Sequence, residues 1–358
     1  MMRCPNHQNR IISQSIGYCP ECLVEDSKVI GHSMEKHRRL RQDDGLVDEI
    51  PSDGRVVCGE CSNHCRMNEG DTGFCHLRQV RDGNIVHRYG EAAIVRWYFD
   101  PLPTNCVADW VCPVRNQSSY QWNSELKNLA VFYGSCNSDC LFCQNTSYRR
   151  MMAQGKPLMT PRELAGVADE KTACVCYFGG DPSCNARHSI TTSRLLNESR
   201  QVRVCYETNG KISRKYLDEI ADIVLESGGT IKFDLKSMTS QVYQALTDTP
   251  NDHVIRNFRI LAERGIQSKN TFLVASILLI PGYIGLDEVR LLCSFISECD
   301  SSIPTALLGF QPHHAMSDLP RTSRKHAEAA KKIAQEEGLT NVRLGNRGLL
   351  SLAEYNYQ

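Results

Sequence analysis

The sequence has no excess of charge: 41 Lys and Arg residues balance 41 Asp and Glu residues over 358 positions. A balanced chain presents no global basic field to draw nucleic acid and no acidic field to store cations, so neither partner is expected. It also has no apolar run long enough to span a bilayer, which argues against a membrane partner. The amino terminus, Met1-Met2-Arg3-Cys4-Pro5-Asn6-His7, lacks the apolar centre of a secretory signal, and the expected location is the cytoplasm. Internal repeats and low-complexity tracts are absent. The length suits one large domain or two smaller ones, with ample chain to bury a core.

Cysteine is what the chain has in quantity: 18 residues, falling in clusters. In a reducing compartment such clusters point to metal ligation rather than disulfides. The most compact one is Cys136-Asn137-Ser138-Asp139-Cys140-Leu141-Phe142-Cys143, spaced C-x3-C-x2-C directly after the apolar run Leu129–Tyr133. Three thiolates so placed can ligate three irons of a cubane 4Fe-4S cluster and leave the fourth iron without a cysteine. Zinc would want a fourth nitrogen or sulfur ligand close by, and the next residues, Gln144, Asn145, Thr146 and Ser147, supply none.

Cysteines recur nearer the amino terminus. Cys4, Cys19 and Cys22 form a ligand set of the zinc-ribbon or rubredoxin type, with His7 as either a further ligand or a surface residue. The intervening segment is short and polar, so a bound zinc or iron would supply stability that burial cannot. From Ser27 to Pro51 the composition is charged, and its most basic run, Lys36 to Arg41, reads as a solvated helix face or linker. Cys58, Cys61, Cys65 and Cys75 then follow, with Gly70 and Gly73 permitting a tight return; they make a tetrahedral sulfur site or a knuckle beside a cluster. Cys106 and Cys112 are open to two readings, added ligands to a neighbouring metal or free buried thiols. Three regions are expected: a metal knuckle with a charged linker at 1–50, a Cys-rich region at 51–125, and a regular domain at 126–358.

That last region alternates. Short β-branched or aromatic runs at Leu129–Tyr133, Cys174–Phe178, Val202–Glu207, Thr230–Leu235, Thr271–Leu279 and Thr305–Phe310 are separated by helical segments. Thr160-Pro161-Arg162-Glu163 predicts a capping box, and Ser213 and Gly228 bracket another helix. Six β/α units predict a parallel, barrel-like α/β sheet with its chemistry in the loops after the strands. At those ends stand Gly179-Gly180-Asp181-Pro182, Glu207-Thr208-Asn209-Gly210, Asp234-Leu235-Lys236 and Gln311-Pro312-His313-His314.

Together these motifs resemble the radical S-adenosylmethionine (SAM) superfamily, in which an aromatic residue such as Phe142 commonly precedes the last cysteine. The pattern C-x2-C-x3-C…G-x2-G-x-C-x2-R, from Cys58 to Arg78, is similar to the proteins named AmmeMemoRadiSam, relatives of the pyruvate formate-lyase activating enzymes. The likeness covers roughly Val56 to Ser351 and leaves out the Cys4 to Cys22 knuckle. It implies a partial (β/α)6 TIM-like barrel in which SAM chelates the open iron of a cluster held by Cys136, Cys140 and Cys143. Reductive cleavage would then yield a 5′-deoxyadenosyl radical that abstracts hydrogen from a substrate, with the electron coming from a reductant protein. By the same likeness Gly179, Gly180 and Asp181 would receive the amino group of SAM, Glu207 and Asn209 its ribose or carboxylate, and Asp234 and Lys236 would lie by SAM or substrate. Val342 to Asn346 resembles the late strand on the adenine side.

Three destinations follow. The likeness to activating enzymes implies a protein or peptide substrate. The stretch Trp97 to Cys112 is also similar to the cobalamin-dependent enzyme that methylates an arginine of methyl-coenzyme M reductase in methanogens. On that reading Tyr120 would place a phenolate on the open iron until SAM displaces it. Since the sequence ends at Gln358, soon after the last barrel element, cobalamin would be expected to dock on the barrel or a partner. The third destination is a non-catalytic electron-transfer or adaptor protein, which would need a fourth protein ligand at the Cys136 cluster.

Overall fold

A computed structural model describes residues 2–102, 106–112, 125–268 and 270–357; Tyr120 lies outside them. Three short antiparallel ribbons come first: β1 (Met2–Arg3) with β2 (Ile11–Ile12), β3 (Val56–Val57) with β4 (Arg66–Met67), and β5 (Arg78–Arg81) with β6 (Asn84–His87). Helices α1 (Pro20–Glu25) and α2 (Ile30–Asp43) lie between the first two. The central sheet holds β7 (Ala93–Pro101), β8 (Lys127–Tyr133), β9 (Leu158–Met159), β10 (Thr172–Gly179), β11 (Arg203–Thr208), β12 (Ile231–Asp234), β13 (Leu273–Leu279), β14 (Thr305–Gly309) and β15 (Val342–Gly345). Their order is β15-β14-β13-β12-β11-β10-β8-β7-β9.

From β8 and β10 through β15 the strands are parallel, each beside its sequence neighbour, with helical crossovers between. This is the expected barrel-like α/β sheet, with β15 as a further strand; β7 and β9 extend its other side antiparallel. The crossover helices are α3 (Ser147–Gln154), α4 (Pro161–Ala165), α5 (Ala186–Ser199), α6 (Arg214–Ser227), α7 (Ser240–Thr247), α8 (Asp252–Gly265), α9 (Leu286–Asp300) and α10 (Arg324–Glu336). The capping box at Thr160 and Glu163 starts α4, and Gly228 ends α6 in the left-handed conformation, as their sequences predict.

Strand periodicity sorts the side chains. Leu129, Val131 and Tyr133 of β8, Val175 and Tyr177 of β10, Val204 and Tyr206 of β11, and Ile231 and Phe233 of β12 join the buried core with the helices. The residues between them, Asn128, Ala130, Cys174, Cys176, Cys205 and Lys232, line the barrel interior instead. Buried tyrosines need partners for their hydroxyls. Those of Tyr133, Tyr177 and Tyr206 bond to His188, Ser193 and Ser189 of α5 at 3.0, 2.9 and 3.1 Å.

The amino-terminal segment packs directly on this body. The Ser13 amide donates to Tyr283 Oη at 3.0 Å, Ser13 Oγ and the Gln14 amide donate to Asp318, and Ile16 and Leu23 enter the main core. The basic run of α2 departs from the solvated face expected of it. His37 and Arg41, one turn apart on the same face, are fully buried, because that face meets an acidic residue of the barrel.

Candidate active site

Strand β8 delivers the chain into the Cys136 loop through Gly134, where an added Cβ would lie 2.5 Å from Ile94. The loop is held from behind. The Asp139 and Leu141 amides donate to Thr247 and Leu246 carbonyls at 2.9 and 3.0 Å. The Asp139 carboxylate takes His37 Nδ1 at 3.0 Å, Arg41 at 3.5 Å and a close pair with Arg149. Burial alone would raise this carboxyl; the His37 hydrogen bond and the Arg149 and Arg41 charges hold it well below the usual carboxylate range.

The loop after β10 closes on the same place. Gly179 has φ +109°, and an added Cβ at Gly180 would lie 2.0 Å from the Ser135 carbonyl oxygen, so both positions require glycine. Asp181 turns its carboxylate inward, accepting from the Ser183 amide at 2.8 Å, Thr208 Oγ1 at 3.0 Å and the Asn209 amide at 2.7 Å. It therefore ties β10 to β11, and the groups it leaves for a ligand are backbone ones. Asn209 likewise braces the cysteine loop, donating to Asn137 Oδ1 at 2.9 Å and Ser138 Oγ at 3.3 Å.

These elements enclose a cavity of about 290 Å³. Cys136, Cys140 and Cys143 line it, together with Phe142, Gly179, Gly180, Asp181, Glu207, Asn209, Asp234 and Lys236. The residues expected beside SAM after β10, β11 and β12 thus line the space that the three sulfurs line, and of Val342 to Asn346 only Asn346 does. His313 and His314 are not among the lining residues. Burial raises the Cys136 thiol well above its ordinary value and pushes Cys140 and Cys143 up to about 12 and about 11, so a cation binding here must displace protons. Lys236 supplies positive charge beside Cys140 and Cys143, bonded to Asp234 Oδ2 at 2.9 Å and 5.6 Å from the Phe142 ring.

Residues 130–289 match the Radical SAM superfamily. The chain carries a radical SAM domain. It is 23% identical over 308 residues to the uncharacterized protein MJ0808 of Methanocaldococcus jannaschii, covering 85% of each chain. It is 31% identical over 87 residues to the isethionate sulfite-lyase activating enzyme of Desulfovibrio desulfuricans, a match spanning 24% of this chain and 26% of that one. Among solved structures, a domain of pyruvate-formate lyase-activating enzyme from Bacteroides vulgatus aligns with a TM-score of 0.39 and 23% identity, over 49% of this chain and 99% of that one. Streptococcus suis SuiB bound to S-adenosylmethionine aligns with a TM-score of 0.45 and 16% identity, over 63% and 52%.

A radical SAM domain implies SAM and a 4Fe-4S cluster, and the donor set here fits them. Among the described residues, the group of His, Cys, Asp and Glu ligand atoms drawn within 4.8 Å of one another is Cys4, His7, Cys19 and Cys22. The Cys136 triad is not gathered to that single-ion spacing, which suits a larger core. Its surroundings include a residue that local sequence could not reveal. Lys211 is fully buried near Cys61, Cys136 and Cys140, its Nζ has no hydrogen-bond partner, and burial pulls it down to about 8.

The amino-terminal knuckle is compact. Cys22 Sγ lies 3.7 Å from both Cys4 Sγ and Cys19 Sγ, and His7 Nδ1 lies 3.1 and 3.4 Å from Cys19 and Cys22. His7 therefore belongs to the group. Cys58, Cys61, Cys65 and Cys75 are all buried beside the radical SAM domain. Cys58 and Cys65 share a small core with Met67, Phe74 and Val80, whereas Cys75 packs with Leu77, Ile94, Met151 and Cys184. Cys61 pairs by a β-bridge with Ile212, and Asn63 donates to the Asn137 carbonyl at 2.9 Å. Cys106 and Cys112 face the barrel interior rather than either amino-terminal group. Among the described residues no helix is long and apolar enough to cross a membrane.

Proposed function

We propose that the protein is a radical SAM enzyme that takes a hydrogen atom from a protein or peptide. One observation carries this reading: a single cavity joins Cys136, Cys140 and Cys143 to Gly179, Gly180, Glu207, Asp234 and Lys236. The three cysteines would hold the 4Fe-4S cluster. When bound, cluster and SAM supply the electron transfer and the 5′-deoxyadenosyl radical. The protein orients and shields. Asp139, with His37, Arg41 and Arg149, fixes the cysteine loop, and backbone groups at Gly179 and Gly180 would receive the amino group of SAM. Lys236 and Asp234 form a charged pair able to orient a carboxylate or hydroxyl.

The protein substrate is supported by the relative whose name makes a lyase its target. We assign zinc to Cys4, His7, Cys19 and Cys22, because its sulfur and nitrogen separations match the edges of one tetrahedral ion. An iron or zinc site at Cys58, Cys61, Cys65 and Cys75, a reductant protein and a cytoplasmic location complete the reading.

The test is anaerobic reconstitution with iron and sulfide, followed by SAM and dithionite and an assay for 5′-deoxyadenosine. Wild-type chain should form it, and Cys140→Ala should lower formation at least a hundredfold, to background. Wild-type rates in Cys140→Ala would sink the assignment.

A further inference from the structure

Inside the barrel, Cys174 and Cys176 of β10 and Cys205 of β11 line a second cavity of about 700 Å³. Parallel barrels ordinarily fill this layer with branched aliphatic side chains. Here β10, β11 and β12 contribute thiols and an amine to it, beside Asn128, Ala130, Ala306 and Leu308. Cys176 and Cys205 are direct partners in the β10–β11 ladder, and Cys174 lies one inward position before Cys176. The loop at 106–112 adds Cys106 and Cys112 to the same lining.

Lys232 stands among them, 3% exposed. Its Nζ lies 2.9 Å from Cys176 Sγ, 3.5 Å from Cys106 Sγ and 3.2 Å from Glu207 Oε1. These contacts set a buried positive charge between a carboxylate and two sulfurs, where it would offset the negative charge of metal-bound thiolates.

We propose that Cys174, Cys176 and Cys205, with Cys106 as fourth ligand, hold a second iron–sulfur cluster inside the barrel. Four sulfurs and no imidazole are the donor set of such clusters. The thiols are not gathered to single-ion spacing, since that group among the described residues lies elsewhere. A core of several irons spans the gap that one ion would leave, and Lys232 offsets its negative charge. Gln144, Asn145 and Glu207 line both cavities, so the second cluster would adjoin the SAM chamber. The site stands on its own residues and does not require the radical reaction.

The experiment removes the first cluster and asks what remains. Full-length Cys136→Ala/Cys140→Ala/Cys143→Ala is reconstituted anaerobically. Iron and acid-labile sulfide are counted and Mössbauer spectra recorded, with and without Cys174→Ser/Cys176→Ser/Cys205→Ser. The expected difference is about two to four irons per chain with matching sulfide. Because the comparison is a difference, iron at Cys58 to Cys75 cancels. Equal iron and sulfide in both chains would overturn the proposal, as would loss of zinc in their place. The three serines in an otherwise wild-type chain should keep the SAM-sensitive EPR signal of the Cys136 cluster, which reports folding. Should they fail to fold, Cys205→Ser alone in the triple-alanine background should shift the Mössbauer parameters through an oxygen ligand. An unchanged spectrum would then overturn it.

Discussion

Asp139 sits between Cys136 and Cys140, and nothing in a C-x3-C spacing asks for a carboxylate there. Its partners come from far along the chain: His37 from α2, Arg41 from the same helix, Arg149 from α3. Removing the charge leaves two buried guanidinium groups undercompensated, a change that typically costs about 3–5 kcal/mol. Asp139→Asn should therefore lower the urea midpoint of the apo chain clearly and reduce iron loading at the Cys136 loop. A wild-type midpoint with full loading would show that the clamp is idle. The cysteines were legible because their chemistry lies within eight consecutive residues. The clamp was not, because Asp139 and His37 are 102 positions apart. Lys211 was hidden for the same reason, and His7, a lone imidazole two residues after Pro5, gained meaning only once Cys19 and Cys22 folded back upon it.

At the scale of elements, the loops after β8 and β10 behave as one object. Backbone bonds from Gly180 to Tyr133 at 2.7 Å and from Asp181 to Ser135 at 2.8 Å lock them, and Gly180 has no room for a methyl group. Gly180→Ala should separate the loops, weaken SAM binding at least tenfold and leave the helical content unchanged. Calorimetric titration of SAM and far-UV circular dichroism check the two halves. Undiminished binding would mean that the contact does not shape the pocket. The strands were readable from their period and their β-branched and aromatic content. What the period could not give was the inward layer. Cys174, Cys176, Cys205 and Lys232 look irregular in sequence, and become a lining only once neighbouring strands are in register. The buried face of α2 was misread because a basic run usually faces water, and here its partner lay across the fold.

On the scale of the whole molecule, the amino-terminal knuckle and the barrel are mechanically joined. The proposed zinc group anchors β1, β2 and α1, which pack with Ser13 and Ile16 on the barrel and lead into α2, whose His37 reaches the cysteine loop. Stripping that metal with a chelator should raise amide hydrogen exchange across residues 2–43 and also at 136–141. Exchange changes confined to residues 4–22 would show that the knuckle is mechanically separate.

The strands of the parallel sheet follow chain order from β8 to β15 without rejoining, so the barrel has a lengthwise seam. The loop at 106–112 meets one side of it, where Asp109 pairs with Arg343 of β15 at 3.1 Å and Trp110 lies under the same guanidinium. A closed tube can be threaded only by a free end. A tube with a seam can receive the middle of a long polymer sideways, and the half-exposed pair of Asp109 with Arg343 beside this one is a contact that salt weakens.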